Sequence, residues 1–236
     1  MPTSRIGLLL FEDVEVLDAC GPFEVFSVAT RVAQRDRPEQ PKPFEVVTLS
    51  AEATTTVRAR GGLTLVADRL LAHAPAVDVA LVPGGVTARI EAAPAVLAWI
   101  RGAATSAQVV ASVCTGAFPL ALAGLLDGRT ATTHWEDQAE LQARFPAVTV
   151  VNTVRYLDHG PVATSAGVSA GIDLALHLVA RLADDQLAEA TAQQMDYPWT
   201  REPLPHPCPE QGDVGFVRLG LMGQPMALNL ARAGTP

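Results

Sequence analysis

Hydrophobic positions along the chain fall into two patterns that alternate. Short runs of consecutive apolar residues are typical of strands buried on both faces of a parallel sheet, and they lie at 6–11, 44–49, 63–66, 77–82, 107–111, 129–133, 148–151, 154–157 and 162–163. Longer segments with apolar residues at helical spacing lie at 18–33, 94–106, 118–126, 137–144, 167–182 and 184–195. Strands that alternate with helices predict an α/β protein, a three-layer α/β/α sandwich around a mostly parallel sheet.

Composition and charge narrow the class of protein. The 236 residues are 49% hydrophobic, which suffices for one sizeable core. The formal net charge is −8, which argues against direct contact with nucleic acid. No charged-then-apolar leader opens the chain, and no apolar run is long enough to cross a bilayer. We therefore expect a cytoplasmic protein with no membrane partner, and three cysteines without framework spacing fit a reducing compartment.

The turn around Cys114 carries the strongest chemical signal. An apolar strand at 107–111 leads into it, and an apolar helix at 118–126 follows. A thiol at the start of a helix faces the positive end of the helix dipole, which favours the thiolate. The small residues Thr115 and Gly116 leave room for a substrate and leave backbone N–H groups near the sulfur. The turn thus predicts a cysteine nucleophile beside an anion site, the alternative being a buried cysteine that fills the core.

Several motifs in order resemble the ThiJ/PfpI superfamily, which is class I glutamine amidotransferase-like. They are LDACGPFEVF at 17–26, LVPGG at 81–85, SVCTGAF at 112–118, AGLLDGR at 123–129, ATTHW at 131–135 and TSAGVSAGID at 164–173. Two subgroups match best, the isocyanide hydratases and the sensor domain of AraC-type regulators. The resemblance implies a flavodoxin-like sheet, a cysteine on a nucleophile elbow, a homodimer and no cofactor.

The strand order implied by the resemblance brings three loops together at the carboxyl end of the sheet. Asp18 would then lie against the sulfur and act as the acid, although an Asp before a helix is also a preferred N-cap. A carboxyl group buried there should hold its proton more tightly. Glu24 lies off that helix face, and we expect it to be solvated. Gly84 and Gly85 are candidates for backbone N–H donors to an oxyanion, and otherwise simply permit a tight turn.

The residue after the cysteine separates the possible activities. Peptidases of the superfamily carry His there, whereas this chain carries Thr115, to which we assign substrate positioning because the hydratases carry Thr. The alternative for Thr115 is a local hydrogen bond in the first helical turn. His134 is predicted to be a hydrogen-bonded core or rim residue. Histidines, cysteines and carboxylates show no metal-site spacing, so no metal is predicted.

Two function classes therefore stay open. A hydratase would add the Cys114 thiolate to the terminal carbon of an isocyanide, with Asp18 as proton donor. A sensor would bind a small molecule and act through a partner protein, since the DNA-binding helices of AraC-type regulators do not follow. A cysteine amidase or peptidase is a further alternative that the missing histidine disfavours, and oxidation of the thiol would not by itself show a redox sensor.

The chain changes character beyond Tyr197. We interpret 1–197 as the α/β domain and the proline-rich residues 198–212 as a linker. The sequence VGFVRLGLMGQPMA at 214–227 resembles the first strand, turn and helix of a 3-hydroxyisobutyrate-type dehydrogenase. Arg218 replaces the first glycine of the dinucleotide fingerprint, and no second strand follows. We therefore expect 213–236 to be a truncated Rossmann-like tail that does not bind NAD, or a simple amphipathic segment.

Overall fold

The central sheet has seven strands, six of them parallel. A computed structural model describes residues 2–200, and the predicted tail at 213–236 and most of the predicted linker at 198–212 lie outside this range. The strands in chain order are β1 Ser4–Leu10, β2 Phe44–Ser50, β3 Thr56–Arg58, β4 Thr64–Val66, β5 Arg69–Leu70, β6 Val79–Val82, β7 Val109–Val113, β8 Thr130–Ala131, β9 Thr149–Val150, β10 Tyr156–Asp158 and β11 Val162–Ser165. The order across the main sheet is β10-β11-β7-β6-β1-β2-β5, and only β10 runs antiparallel to its neighbour.

Helices cover both faces of this sheet. In chain order they are α1 Val16–Asp36, α2 Ala88–Glu91, α3 Pro94–Ser106, α4 Ala117–Leu122, α5 Gln138–Arg144, α6 Ala170–Leu182 and α7 Asp185–Gln194. Helices α1, α6 and α7 pack on one face and share a core in which Phe26 and Leu174 are almost fully buried. Helices α3, α4 and α5 contribute to the core on the other face, where Ile100, Leu120 and Leu141 are buried. The predicted three-layer sandwich with a mostly parallel sheet is confirmed.

The sheet has a topological switch beside β1. The chain passes from β1 to β2 on one side, and later returns to place β6 and β7 on the other side. The loops that follow β1, β6 and β7 therefore start at the same edge of the sheet and run in opposite directions. In open α/β sheets a crevice forms between such loops, and ligands bind there. The sequence predicted that these three loops converge at this edge.

The structure adds short elements that the hydrophobic pattern did not predict. Strands β3 and β5 have three and two residues, and α2 has four. Strand β3 pairs with β4 in a separate antiparallel hairpin, so the predicted strand at 63–66 is peripheral as expected. Helix α4 ends at Leu122, four residues before the predicted end. Within residues 2–200, no helix combines the length and the apolar character that a bilayer crossing requires.

Candidate active site

Cys114 lies directly after β7 in a strained backbone conformation. Its φ angle is +56°, in the left-handed region that residues other than glycine rarely occupy. A single 3₁₀ turn, Cys114–Gly116, then leads into α4. The left-handed conformation of Cys114 costs about 1–3 kcal/mol and persists only where the surrounding structure holds it. Gly116 permits the close packing of this turn, because a Cβ there would lie 2.1 Å from the Val82 carbonyl oxygen.

Asp18 is buried beneath the elbow and does not cap its helix. The N-cap of α1 is Glu15, and Asp18 lies in the first turn with 0% of its surface exposed. Its Oδ2 accepts a hydrogen bond from the Gly84 N–H at 3.1 Å, while Oδ1 has no hydrogen-bond partner among the described residues. Cys114 and the Val168 backbone also lie close enough to lower the pKa of this carboxyl group, but burial with few partners still penalises its charged form. The structure brings Asp18 to Cys114, as the sequence predicted.

Burial sets the proton affinity of Asp18. Desolvation raises its pKa from 3.8 to about 6, although the contact with Cys114 and the hydrogen bond from Gly84 oppose this. The pKa of Asp18 is thus raised, the direction that its predicted burial implied. Glu15, at the start of the same helix, adds a smaller like-charge contribution that also raises the pKa of Asp18.

The helix dipole alone predicted a lowered pKa for the Cys114 thiol, whereas in the structure its pKa is raised. It is 7% exposed, and burial followed by the charge of Asp18 raises its pKa above the ordinary value, which outweighs the lowering by the Thr115 N–H. Helix α4 also begins three residues after the cysteine and has only six residues, so its dipole is weak at the sulfur. Because Asp18 and Cys114 interact, they titrate as a pair, and between their two ionisations the pair holds one proton.

The Gly84-Gly85 turn fits against the elbow, but its N–H groups already have partners. The Gly84 N–H donates to Asp18, and the Gly85 N–H donates to Thr115 Oγ1 at 2.9 Å. Both N–H groups that the sequence suggested as oxyanion donors therefore bond protein oxygens in this structure, and their role toward an oxyanion stays a prediction. A Cβ on Gly84 would lie 2.7 Å from Asp18 Oδ2, from Cys114 Cβ and from the Thr115 nitrogen. Glycine is required at this position by the close approach of three site residues.

Thr115 is committed to the same turn. Its hydroxyl accepts from the Gly85 N–H and donates to the Gly85 carbonyl, each at 2.9 Å. The hydroxyl therefore fixes the loop after β6 against the cysteine, and the role of Thr115 in substrate positioning stays a prediction. The local helical hydrogen bond that was the alternative for this hydroxyl is not what the structure shows.

Two residues at the elbow were not singled out from the sequence. Thr133 is fully buried and donates its hydroxyl to the Cys114 carbonyl at 2.8 Å. The Cys114 N–H donates to the Ala166 carbonyl at 3.3 Å. Thr133 lies in the motif at 131–135, but a threonine after a strand has no pattern that distinguishes a bond to a distant carbonyl from simple packing.

Charged side chains lie near the elbow. His134 packs on Gly167, and its Nδ1 lies 3.5 Å from Asp137 Oδ2. The charge of Asp137 contributes to the raised pKa of Cys114. Arg60 lies 3.6 Å from Glu15, and its charge also acts on Asp137. The predicted rim position of His134 is thus found, since its side chain is 21% exposed and partly hydrogen-bonded.

Other sequence candidates fall outside this cluster. Glu24 is exposed and forms an ion pair with Arg31 at 2.7 Å, as a solvated residue should. Cys20 is half-buried and free, and Cys208 lies outside the described residues. Among residues 2–200, no group of three or more His, Cys, Asp or Glu side chains is arranged to hold a metal ion.

A surface groove at the far end of α1 is separate from this chemistry. Its volume is about 240 Å³, and Val32, Arg37 and Leu187 are among its lining residues. It lies some fourteen residues along α1 from Asp18, roughly 20 Å at the rise of an α-helix. The groove contains no nucleophile, so we assign the candidate site to the Cys114 crevice.

Residues 4–181 match the DJ-1/PfpI family. The chain belongs to this family. An isonitrile hydratase from Pseudomonas putida is 34% identical over 194 residues, which cover 82% of this chain and 78% of that protein. The HTH-type transcriptional regulator GbdR of Pseudomonas aeruginosa is 30% identical over 201 residues, which cover 85% of this chain and 53% of the regulator. The chain therefore spans about half the length of that regulator.

Solved structures of the family have the same fold. A ThiJ/PfpI family protein from Pseudomonas syringae superposes with a TM-score of 0.73 at 26% identity, and the match covers 98% of this chain and 88% of that one. An AraC family transcriptional regulator from Pseudomonas putida gives a TM-score of 0.68 at 23% identity over 81% of this chain and 99% of that one. The family resemblance stated from the motifs is confirmed, and enzymes and regulators both occur among the relatives.

Proposed function

We propose that the protein hydrates isonitriles to N-substituted formamides with Cys114 as nucleophile and Asp18 as acid. The observation that carries the proposal is the buried pair, a carboxyl group with a pKa of about 6 held against the only cysteine on a strand-to-helix elbow in the described residues. Such a pair supplies a nucleophile and a proton at one place without a metal or a histidine base. The similarity to the isonitrile hydratase over most of both chains supports the same chemistry.

The first step uses the single proton of the pair. The Cys114 Sγ forms a bond to the terminal carbon of R–N≡C, and Asp18 delivers its proton to that carbon. The product is a thioimidate, R–N=CH–S–Cys114, beside an ionised Asp18. Because its pKa is about 6, the Asp18 carboxyl group keeps its proton at higher pH than an ordinary aspartic acid does. It is therefore better suited to act as a proton donor near neutral pH.

The second step returns the enzyme to its starting state. Water adds to the thioimidate carbon and provides one proton to the nitrogen. The C–S bond then breaks, the remaining proton of the water returns to the Asp18–Cys114 pair, and R–NH–CHO leaves. One water is consumed in each cycle, and no oxidant or reductant is required.

Formamide production from an aryl isonitrile tests this function directly. We expect turnover by the wild type, none by Cys114→Ala, and a loss of about 10²–10⁴-fold in kcat for Asp18→Asn. Glu24→Gln is the matched control, since it removes an exposed carboxylate from the same helix. A folded wild type with an intact thiol that produces no formamide from aryl or alkyl isonitriles would contradict the proposal, and so would normal turnover by Asp18→Asn.

A ligand-sensing role is the second candidate, because the regulator GbdR matches as much of this chain as the hydratase does. A sensor would bind a small molecule in the Cys114 crevice without releasing a product. Equilibrium binding of isonitriles or other small molecules, without turnover and with copurification of a DNA-binding protein, would favour this role. A cysteine amidase would instead release ammonia or an amine from amides in a Cys114-dependent reaction.

We also propose that the protein works as a homodimer, as the family resemblance implies, and in the cytoplasm, as the composition of the sequence led us to expect. Light scattering on the purified full chain measures the mass directly. A mass near twice 24.8 kDa is expected, and a monomer at micromolar concentration would contradict the dimer.

A further inference from the structure

The backbone of Cys114 depends on two hydrogen bonds that come from different parts of the chain. Its N–H donates to the Ala166 carbonyl at 3.3 Å, and its carbonyl accepts from Thr133 Oγ1 at 2.8 Å. A cysteine with a φ of +56° relaxes toward common conformations unless such contacts hold it. The first contact is made by backbone and survives any substitution at Ala166, whereas the second depends on the side chain at 133.

Thr133 is itself held firmly. It is fully buried, and the preceding Thr132 donates its N–H to Thr164 Oγ1 at 3.0 Å. Thr164 lies on β11 at the position paired with Ser112 on β7, two residues before the cysteine. Thr133 is therefore tied, through its neighbour Thr132 and the hydrogen bond to Thr164, to the strands β11 and β7 that lead to the elbow. Its hydroxyl reaches the Cys114 carbonyl from this fixed position.

We infer that Thr133 is a positioning residue for the chemistry at Cys114, since its hydroxyl holds the cysteine backbone in the conformation that points the sulfur toward Asp18. For the hydratase reaction the inference rests on the proposed function, but the placement of the thiol can be measured without any substrate. Removing the hydroxyl leaves a buried carbonyl without its partner and frees the strained residue to relax. The sulfur then no longer lies where Asp18 can exchange a proton with it.

Such a role predicts a particular pattern of kinetic change. A displacement of reacting groups by an ångström or less lowers the rate of the chemical step, because the aligned approach is lost. The side chains at the rim of the crevice are untouched, so substrate binding should change little. We therefore expect kcat to fall at least about 10-fold in Thr133→Val, while KM stays within about 2-fold.

The test compares Thr133→Val with Thr133→Ser and with a matched control. Valine has the shape of threonine without the hydroxyl, and serine keeps the hydroxyl. Thr191→Val is the control, because Thr191 is also fully buried and its hydroxyl donates to the Leu187 carbonyl at 2.6 Å within α7, away from the elbow. The readouts are the pH profile of Cys114 alkylation by iodoacetamide, the formamide kinetics and the thermal midpoint.

The expected result is a changed alkylation profile and lower kcat in Thr133→Val, recovery of both in Thr133→Ser, and a change in the thermal midpoint alone in Thr191→Val. An alkylation profile and a kcat in Thr133→Val that equal the wild type would overturn the inference. So would equal losses in the Val and Ser variants. If Thr133→Val does not fold, Thr133→Ala removes the same hydroxyl by shortening the side chain and is expected to give the same alkylation profile.

The two proposals fail separately. Absence of hydratase activity in the wild type, with an alkylation profile that depends on the Thr133 hydroxyl, contradicts the function and supports the positioning role. Hydratase activity with no dependence on that hydroxyl supports the function and contradicts the positioning role.

Discussion

The Thr115 hydroxyl and the Gly85 backbone are joined by two hydrogen bonds, with Gly85 N–H donating to Oγ1 and Oγ1 donating to the Gly85 carbonyl, both at 2.9 Å. Gly85 has a φ of +137° and follows the residue that binds Asp18. One threonine side chain thus connects the turn after β6 to the cysteine elbow after β7. Cys114, Asp18 and the turn after β6 are thus held together by hydrogen bonds as one connected group.

Thr115→Val should separate these loops. Valine leaves both polar groups of the Gly85 backbone without the hydroxyl, and because Gly85 and Thr115 are only partly buried, the loss should lie at the lower end of the cost of an unpaired buried group, about 1 kcal/mol. We expect the free energy of unfolding to fall by about that amount and kcat to fall as well. Thr115→Ser keeps the hydroxyl and should retain most of both. Urea unfolding and formamide kinetics on the two variants measure the difference, and equal behaviour of Val and Ser would be the contrary result.

The coupling of Asp18 and Cys114 predicts the pH dependence of thiol reactivity. The pair loses its first proton near the Asp18 pKa of about 6, and burial together with the resulting charge of Asp18 then holds the pKa of the Cys114 thiol above its ordinary 9.0. Alkylation of the wild type should therefore rise only as pH increases above about 9. Asp18→Asn removes the charge that opposes the thiolate, so the rise should move to lower pH, although burial still raises the pKa of the thiol.

Iodoacetamide alkylation between pH 4 and 11 checks this expectation in both proteins. Asp137→Asn is the control, because Asp137 is the last-ranked contributor to the raised pKa of Cys114 and its loss should leave the profile almost unchanged. A wild-type profile that rises through about pH 6 would contradict this account, since part of the charge of the one-proton pair would then lie on sulfur.

The buried carboxyl group also makes stability depend on pH. The folded state raises the pKa of Asp18 from 3.8 to about 6, so it binds the proton more tightly than the unfolded chain does. The stabilisation from this proton is complete below pH 3.8 and is lost as pH rises through about 6. The whole shift corresponds to about 3 kcal/mol.

Asp18→Asn removes the charge and should therefore be more stable than the wild type above pH 6, by up to about 3 kcal/mol, even though its turnover is expected to fall. The advantage should shrink below pH 6 and vanish near pH 4. Chemical denaturation at several pH values measures it. Glu24→Gln, which removes an exposed carboxylate, should show a far smaller pH-dependent difference. An advantage of Asn that stays constant from pH 4 to 8 would disagree with this account.

Gly84 and Gly102 offer a pair of Gly→Ala substitutions with opposite outcomes. A Cβ at Gly84 would lie 2.7 Å from three atoms of the site, so Gly84→Ala must displace Asp18 or the elbow. We expect a loss of about 1–3 kcal/mol of stability together with most of the activity. Gly102 lies inside α3 with nothing within 4 Å of a new Cβ.

Gly102→Ala should accordingly stabilise the protein by about 0.5–1 kcal/mol and leave turnover unchanged. Thermal unfolding and formamide kinetics on both variants check the contrast. Full activity in Gly84→Ala would mean that the turn moves freely relative to the cysteine, contrary to the hydrogen bonds that fix it.

The sequence predicted the fold well wherever an element is long or wholly apolar. The predicted helix at 94–106 matches α3 residue for residue, because proline begins it and its apolar residues recur at helical spacing. The predicted strand at 107–111 was displaced by two residues from β7, since an apolar run does not show where the chain enters and leaves the sheet. The short strands β3 and β5 were missed because two or three residues have no detectable period.

The sequence by itself determined the family and singled out the candidate nucleophile and its candidate acid, because Cys114, Asp18 and the surrounding small residues occur in motifs whose order along the chain is specific. Only the tertiary structure decided how these groups behave. The thiol is buried rather than open, so desolvation sets its pKa instead of the helix dipole. The N–H groups of Gly84 and Gly85 hold Asp18 and Thr115, and Thr133 holds the cysteine carbonyl. Hydrogen bonds between residues distant in sequence depend on the packing of whole strands and helices, which no local pattern records.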